Sequence, residues 1–232
     1  MKVAFISGTS VVNSTIFSRW ETSVITTVHG PVTYRRHGDH VLLNRHGSGL
    51  PLPPHRINHR ANIRALADLG FSDVVALNSV GSLQPGLPPG TLVSCGDYVG
   101  LQQGPATFFD DELKGGAPGI ANNLIPLLTA RLAPEFQIHA GKTYVQTRGP
   151  RFETKAEIRV IKNWGDVVGM TAAHEADLCG ELGLRYNSLA VVDNYANGLE
   201  NTEIDFAKFR DLVQSNQARV DRLFTRLLEI LA

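Results

Sequence analysis

Hydroxyl and amide side chains stand at the ends of several short apolar runs in this sequence. Such ends are found at Ser7-Gly8-Thr9-Ser10, Asn78-Ser79-Val80-Gly81-Ser82, Gly169-Met170-Thr171 and Asp193-Asn194-Tyr195. Backbone amides and hydroxyls at a strand end can bind a phosphate. Taken alone, the first segment is better explained as a plain turn, whereas for the second a ligand site is the better explanation. Several such ends in one chain are harder to attribute to chance.

Two further segments carry charge next to these ends. Arg45-His46 followed by Gly47-Ser48-Gly49 can present donors to an anion, although a solvated loop explains it equally well. Arg148-Gly149-Pro150-Arg151-Phe152-Glu153-Thr154 precedes a helical pattern. Phe152 could stack on an aromatic base and Glu153 could pair with its edge, while Thr154 could be only a helix N-cap.

The sequence lacks the motifs of several other kinds of binding and catalytic site. The turn after the first run is neither a P-loop nor a GxGxxG fingerprint, and no GxSxG nucleophile elbow occurs. His55 and His59 are four residues apart, but no HExxH motif surrounds them. Cys95 and Cys179 do not make a disulfide framework. We therefore expect no metal site and a reducing, cytoplasmic environment.

The composition narrows the class of protein further. The 232 residues include 22 Lys+Arg and 22 Asp+Glu, so the formal net charge is zero. A neutral chain lacks the electrostatic footprint of a nucleic-acid binder. No apolar run approaches the length of a membrane span, and the N-terminus does not resemble a signal peptide. Neither a nucleic acid nor a membrane is expected as a partner.

Apolar runs alternate with helical patterns along the chain, which predicts one domain of the α/β class. The predicted strands cover residues 2–7, 32–36, 41–45, 73–78, 91–99, 142–146, 166–170 and 188–193. The predicted helices cover residues 57–69, 122–132, 154–163 and 172–182, and one last helix runs from about residue 205 to the C-terminus. The irregular segment 101–119 is predicted to be a lid or an interface loop.

The motifs, in this order, resemble those of the trimeric purine nucleoside phosphorylase family, and the methylthioadenosine phosphorylase-like branch most. Residues 141–199 carry GPRFET, AEIR, GMT and NYA, and RHG, HRINHRANI and NSVGSL match further upstream. The resemblance implies one domain over 1–232, with a twisted mixed sheet flanked by helices. It also implies phosphorolysis of purine nucleosides with phosphate as co-substrate and no cofactor. The expected assembly is a homotrimer or a dimer of trimers, in which a neighbour completes each site.

The resemblance also assigns roles to residues. Phosphate would bind at Thr9, Arg45, His46, Ser79 and Thr171, and the nucleoside at Phe152, Glu153, Met170 and Asn194. Asn194 and His46 are the expected catalytic residues. The adenosine-type branch typically carries Asp where this chain has Asn194. An amide can donate to purine O6 and accept from N7–H, and Glu153 can accept from N1–H of a 6-oxopurine. If the two mismatches that adenine would create add, they give roughly 30- to 10⁴-fold discrimination.

The expected substrates are therefore inosine, guanosine or 5′-methylthioinosine. A methylthioadenosine phosphorylase is the nearest alternative, followed by a nucleosidase that uses water and by a non-catalytic nucleoside-binding protein. The His that the branch brings from a neighbouring subunit has no counterpart near Pro118-Gly119-Ile120-Ala121, so the 5′-group of the substrate stays open. Ile204, Phe206 and Phe209 could line an apolar 5′-pocket or could be ordinary core residues.

Overall fold

The computed structural model describes residues 1–11, 14–101, 104, 106–112, 114–201 and 203–232, without the side chains of Ser10, Phe206, Lys208 and Arg210. The strands within these ranges are β1 Val3–Ser7, β2 Glu21–Thr27, β3 Gly30–His37, β4 His40–Asn44, β5 Asp73–Ser82, β6 Leu92–Val99, β7 Ile138–Gln146, β8 Val167–Gly169 and β9 Arg185–Tyr195. The helices there are α1 His59–Asp68, α2 Ile125–Leu132, α3 Lys155–Ile161, α4 Ala172–Glu181, α5 Phe206–Ser215 and α6 Gln217–Leu231. The predicted α/β fold, with a mixed sheet flanked by helices, is confirmed.

The strands within the described ranges form a 9-stranded sheet in the order β2-β3-β4-β1-β5-β8-β7-β6-β9. An additional pairing of β9 with β5 closes the last five strands of that order into a small barrel. Strands β4, β1, β5 and β9 run parallel, so their carboxyl ends meet at one edge, the usual place for a ligand in such sheets. The end of β8 joins them where Val168 pairs with Gly81.

A β-bulge interrupts the pairing of β5 with β9 close to that edge. Val80 pairs with Val192, and the next pair is Gly81 with Asn194, so Asp193 is the extra residue. Side chains alternate between the two faces of a strand, and one inserted residue reverses the alternation beyond it. The bulge therefore determines on which face the side chain of Asn194 lies.

The C-terminal segment is where the structure departs most from the sequence prediction. The prediction of one last helix is wrong, because α5 ends at Ser215 and α6 begins at Gln217. The apolar spacing continues across the break, so periodicity alone could not reveal it. Asn216 lies at the break and donates its Nδ2–H to the carboxyl Oδ1 of Asp193, 2.9 Å away. Helix α6 buries an apolar face in the core with Val220, Leu223, Phe224, Leu227 and Leu231.

Smaller differences have local causes. Strand β2 was not predicted, because its residues are mostly polar and partly exposed. Helix α1 begins at His59, two residues later than predicted, where the side chain of Asn58 caps it by accepting from the backbone of Ala61. Thr154 is the N-cap of α3 and forms a capping box with Glu157. Among the described residues, none of the helices has the length and apolar character that a membrane span requires.

Candidate active site

A cavity of about 460 Å³ opens at the edge where the parallel strands end. All the residues singled out from the sequence as site residues line it, although they come from distant parts of the chain. They are Thr9, Arg45, His46, Ser79, Phe152, Glu153, Met170, Thr171 and Asn194. The structure thus brings the predicted set together at one place.

Arg45 follows strand β4 and carries the only guanidinium group among the described residues lining the cavity. It is buried and makes two hydrogen bonds to Glu175 of α4, at 2.6 Å from Nε and 3.2 Å from Nη2. Its Nη1 donates to the carbonyl of Leu77 at 3.0 Å. An arginine has five N–H groups, so some remain for a ligand.

Glu175 keeps the Arg45 charge tolerable in the interior. Burial works against both charges, but their attraction and hydrogen bonds outweigh it, so the pKa of Glu175 is lowered and the pKa of Arg45 is raised. The hydroxyl of Tyr186 also donates to Glu175, at 2.8 Å. Both groups of the pair therefore stay charged, with geometry fixed before any ligand arrives.

His46 presents one ring nitrogen to the protein and the other to the cavity side. Its Nδ1 lies 2.7 Å from the carbonyl oxygen of Leu52 and must donate there. Burial lowers the pKa of His46, the Arg45 charge acts in the same direction, and the hydrogen bond to Leu52 opposes them. The neutral ring therefore has Nε2 as an acceptor, and it becomes a donor to an anion only when the ring gains a proton.

Gly8 lets these two side chains approach the turn after β1. A Cβ atom at this position would lie 2.8 Å from Nη1 of Arg45 and 3.0 Å from Nε2 of His46. Both distances are too short for any side chain without displacing one of the two groups. The close packing of the two basic side chains therefore favours glycine before Thr9.

Helix α4 begins at the cavity with Thr171 as its N-cap residue. The Thr171 hydroxyl oxygen accepts from Nδ2 of Asn78 at 3.0 Å, so its own proton is directed to another acceptor. The backbone N–H groups of Thr171 and Ala172 donate to the Tyr144 hydroxyl, at 3.1 and 3.4 Å. The positive end of the helix dipole favours an anion beside Thr171.

Ser79 is the last predicted anion-binding residue, and its hydroxyl also contacts the protein. Its Oγ is hydrogen-bonded to the carboxyl Oδ2 of Asp193. Asp193 is only 2% exposed, and burial raises its pKa. The sequence predicts that a strand ends at Asp193. It does not reveal that this carboxyl contacts Ser79, which lines the cavity.

Glu153 and Asn194 carry further polar atoms and also line the cavity. Glu153 is buried, and its Oε1 accepts from the hydroxyl of Thr147 at 2.6 Å. Asn194 donates one Nδ2–H to the carbonyl of Tyr195 at 2.7 Å. That bond fixes the orientation of the amide, and Oδ1 together with the second N–H remains for a ligand.

Apolar side chains complete the walls. The rings of Phe152 and Phe209 meet edge to face, with their centroids 5.6 Å apart. Met170 lies against Gly149, where a Cβ atom would come within 2.6 Å of the Met170 sulfur. Ile204 and Phe209 line the cavity, whereas the side chain of Phe206 lies outside the described residues.

The two arginines of the loop before α3 do not line this cavity. They border an adjoining cleft of about 580 Å³ on the loop 147–157, which shares Pro150 and Glu153 with the cavity. Arg151 makes two hydrogen bonds to Glu157, at 2.8 and 2.9 Å, so its charge is used to hold the loop.

Glu175 is the functional residue that the sequence analysis missed. It lies on the buried face of α4 with Ala172, Ala176 and Cys179. Glu175 lies three residues after Ala172 and four before Cys179, so helical spacing puts the three on one face. A carboxylate on such an apolar face is rare, because an unpaired buried charge is costly. That spacing was the available signal. Among the described residues, no group of three or more His, Cys, Asp and Glu could hold a metal ion.

Fold and cavity together define an α/β protein whose site combines basic and hydroxyl groups with amide, carboxylate and aromatic groups. The sequence signature of the Phosphorylase superfamily matches residues 4–229. The chain therefore belongs to the phosphorylase superfamily, and the resemblance found from the motifs is confirmed.

Individual relatives are similar over most of their length. A protein of Archaeoglobus fulgidus named probable 6-oxopurine nucleoside phosphorylase is 37% identical over 92% of this chain and 90% of its own. A probable S-methyl-5′-thioinosine phosphorylase of Methanocaldococcus jannaschii is 39% identical over 85% and 80%. Among solved structures, methylthioadenosine phosphorylase from Schistosoma mansoni in complex with adenine has a TM-score of 0.87 at 26% identity, covering 100% of this chain and 91% of that one.

Proposed function

We propose that this protein catalyses the phosphorolysis of 6-oxopurine nucleosides, with inorganic phosphate as co-substrate and no other cofactor. The observation that carries the base preference is the pair of polar groups at Glu153 and Asn194, each of which keeps free atoms for a ligand. The names of the A. fulgidus and M. jannaschii relatives support the same substrate class.

The phosphate position that we propose lies between Arg45, His46 and the hydroxyls of Thr9, Ser79 and Thr171, all of which line the cavity. Arg45 offers the N–H groups that Glu175 and Leu77 leave unused, and the N-terminus of α4 adds its dipole. Such a built anion site supports phosphate as the attacking group. A nucleosidase that uses water would need no site of this kind.

The base position that we propose lies at Phe152, Glu153 and Asn194. In hypoxanthine and guanine N1 carries a hydrogen atom, and this N1–H group donates a hydrogen bond to a carboxylate oxygen of Glu153. The second Nδ2–H of Asn194 donates to O6, and its Oδ1 accepts from N7–H. Adenine would present a lone pair to Glu153 and a donor to the Asn194 amide group. Each mismatch costs about 1–3 kcal/mol.

The reaction proceeds by attack of a phosphate oxygen on the ribosyl C1′ while the bond from C1′ to N9 breaks. The electron pair of that bond goes to the purine, which gains a proton at N7. Phosphate that enters as HPO₄²⁻ gives up its one proton on becoming the ester, so protons balance. The sugar carries positive charge in the transition state, and the phosphate beside it stabilises that charge. Asn194 stabilises N7–H as the base leaves, and His46 holds the phosphate.

The 5′-group that we propose is methylthio. The cavity is lined by Pro51, Leu52, Pro53, Pro54, Ile204 and Phe209 in addition to the polar set, and these side chains bury an apolar group better than a hydroxyl. An apolar pocket discriminates against an added hydroxyl by about 10²-fold at most. We therefore expect 5′-methylthioinosine to be preferred over inosine, with inosine still a substrate.

Base release in phosphate buffer tests the proposed function. The protein is mixed with 5′-methylthioinosine, inosine and 5′-methylthioadenosine, each with and without inorganic phosphate, and the free bases are separated and measured. We expect hypoxanthine from the first two substrates, only when phosphate is present. Fast adenine release without hypoxanthine would instead establish the adenosine-type activity, which the likeness to the S. mansoni enzyme favours. Activity that is independent of phosphate would establish a nucleosidase.

A further inference from the structure

Asp193 is a buried carboxyl group that the proposed reaction does not use directly. Its Oδ2 is hydrogen-bonded to the hydroxyl of Ser79, and its Oδ1 accepts from Nδ2 of Asn216 at 2.9 Å. Burial raises the pKa of Asp193, and the hydrogen bonds with Ser79 and Asn216 oppose this shift. Among the described residues, no cation contributes to it. A carboxylate without a cation in the interior is costly, which calls for an explanation.

The β-bulge explains how Asp193 reaches this position. Asp193 is the extra residue between the pairs Val80–Val192 and Gly81–Asn194. In the strand β9 it precedes Asn194, whose side chain lines the cavity, while its own carboxyl meets the side chain of Ser79 on β5. Bulges next to active sites commonly re-aim a side chain. Here the bulge brings the carboxyl group of Asp193 into hydrogen-bond contact with the hydroxyl of Ser79, and Ser79 lines the cavity.

Ser79 has one proton and cannot give it to two acceptors. If Asp193 is ionised, the hydroxyl must donate to Oδ2, and Ser79 offers only lone pairs to an anion in the cavity. If Asp193 carries a proton on Oδ2, the direction reverses. Asp193 then donates to Oγ, and the Ser79 proton is free to point to a phosphate oxygen. Because Asn216 donates to Oδ1, that proton belongs on Oδ2.

We propose that phosphate binds together with a proton that Asp193 takes up, so that Ser79 can donate its hydroxyl proton to the bound anion. The inference rests on the proposed phosphate site. The only bonds that change are O–H bonds, and the proton comes from solvent or from the monoanion H₂PO₄⁻. Asp193 is a positioning residue here, because it acts on phosphate through Ser79.

Other titratable groups that face this region must be separated from Asp193. Arg45 and His46 line the same cavity, and His46 can also gain a proton when an anion binds. From the elements packed against Asp193, its direct neighbours are Ser79 on β5 and Asn216 between α5 and α6, and neither titrates. A comparison of two proteins that differ only at Asp193 therefore isolates its contribution.

The experiment is titration calorimetry with inorganic phosphate at neutral pH, in two buffers of different ionisation enthalpy, which counts the protons taken up on binding. In Asp193→Asn the amide N–H can donate to Ser79 and its oxygen can accept from Asn216, as in the protonated acid. We expect the wild-type protein to take up about one proton more per phosphate than this variant. We also expect that, as the pH rises, the affinity of the wild type for the phosphate dianion falls by up to tenfold per pH unit relative to that of the variant.

Asp211→Asn is the matched control, since Asp211 is an exposed carboxyl on α5, and its proton uptake should equal that of the wild type. Equal uptake in the wild type and Asp193→Asn would overturn the proposal. If Asp193→Asn does not fold, an infrared difference spectrum of the wild type with and without phosphate decides, because the proposal requires a new carbonyl band of a protonated carboxyl group. A wild type that does not bind phosphate at all would contradict the proposed function itself.

Discussion

Glu153 and Asn194 each use one polar atom to fix their own position and keep another for the cavity. Oε1 of Glu153 accepts from Thr147, and Nδ2 of Asn194 donates to the carbonyl of Tyr195. The protein contacts hold both side chains before a substrate arrives, so little ordering is needed on binding. Recognition of the base therefore depends on which atoms remain unpaired at these residues.

Asn194→Asp tests this point directly. A carboxylate repels purine O6 but accepts from the amino group of adenine, so we expect kcat/KM for hypoxanthine release to fall about 10- to 100-fold. The ratio of adenine to hypoxanthine released from the two methylthio nucleosides should rise. Asn163→Asp, at an exposed position after α3, is the control and should leave the ratio unchanged. An unchanged ratio in Asn194→Asp would remove Asn194 from the base site.

Gly8→Ala tests the phosphate end of the cavity. The added Cβ would lie 2.8 Å from Nη1 of Arg45 and 3.0 Å from Nε2 of His46 and must displace one of them. We expect the phosphate KM to rise about tenfold or more, which corresponds to a loss of about 1.4 kcal/mol, with the base preference unchanged. Gly86→Ala, where a Cβ meets no atom within 4 Å, should behave as the wild type. An effect confined to nucleoside affinity would argue against this account.

At the scale of elements, helices α1 and α4 meet behind the cavity through two histidine rings. His59 and His174 have ring centroids 5.1 Å apart. His59 is 8% exposed, and neither of its ring nitrogens has a hydrogen-bond partner. Burial lowers the pKa of His59 to about 4; the Glu175 carboxylate opposes this shift, and the charges of His174 and Arg45 add to it. The contact between the two helices is therefore made by a neutral ring.

This contact predicts acid sensitivity of folding. His59 takes up a proton at about pH 6.5 in the unfolded chain but only near pH 4 in the folded protein. The unfolded state thus binds more protons between these values, and stability falls as the pH falls from 6.5 to 4, by about 3 kcal/mol from this residue. Urea unfolding across this range should show the loss, and His59→Phe should reduce it.

His55→Phe serves as the control, because His55 is exposed. The pH dependence of this control should match that of the wild type. His40, His46 and His174 also have lowered pKa values from burial, so His59→Phe should reduce the acid sensitivity without abolishing it. An identical pH dependence in the wild type and His59→Phe would contradict the assignment.

At the scale of the whole molecule, the net charge of zero conceals a local concentration of donors. Thr9, Arg45, His46, Ser79 and Thr171 come from four parts of the chain and line one cavity. Exposed apolar groups lie beside the opening: Leu50 is 94% exposed and Leu52, which lines the cavity, 40%. Apolar side chains next to a binding site are typical of a surface that a partner covers. We propose that a second copy of the chain covers it, in a trimer.

Sedimentation tests the proposed assembly. We expect a species of three times the chain mass of 25.3 kDa, or six times for a dimer of trimers. We also expect a shift to smaller species in Leu50→Lys, because a charge replaces an apolar contact. The nucleoside KM should rise in the same variant if the neighbour completes the site. A monomeric wild type with full activity would exclude the trimer.

Much of the fold and site could be predicted from the sequence, because buried strands and the polar residues that end them are local patterns. Thr9, Arg45 and Asn194 were found in this way, and the family resemblance ordered them. Glu175 was missed, and for Asp193 the sequence indicated only a polar strand end, since each acts through a partner more than a hundred residues away in the chain. The closure of β9 on β5 and the bulge depend on register, which no single segment encodes.

The break at Asn216 separates two tasks that a continuous helix would have combined. Helix α6 is anchored in the core, where Phe224 packs edge to face against Phe5 and Phe17. Helix α5 instead contributes Phe209 to the wall of the cavity. Substitution of Phe209 should therefore alter the cavity while leaving the packing around Phe224 in place. Replacing α5 with the corresponding helix of a relative is therefore a way to engineer acceptance of a different 5′-substituent.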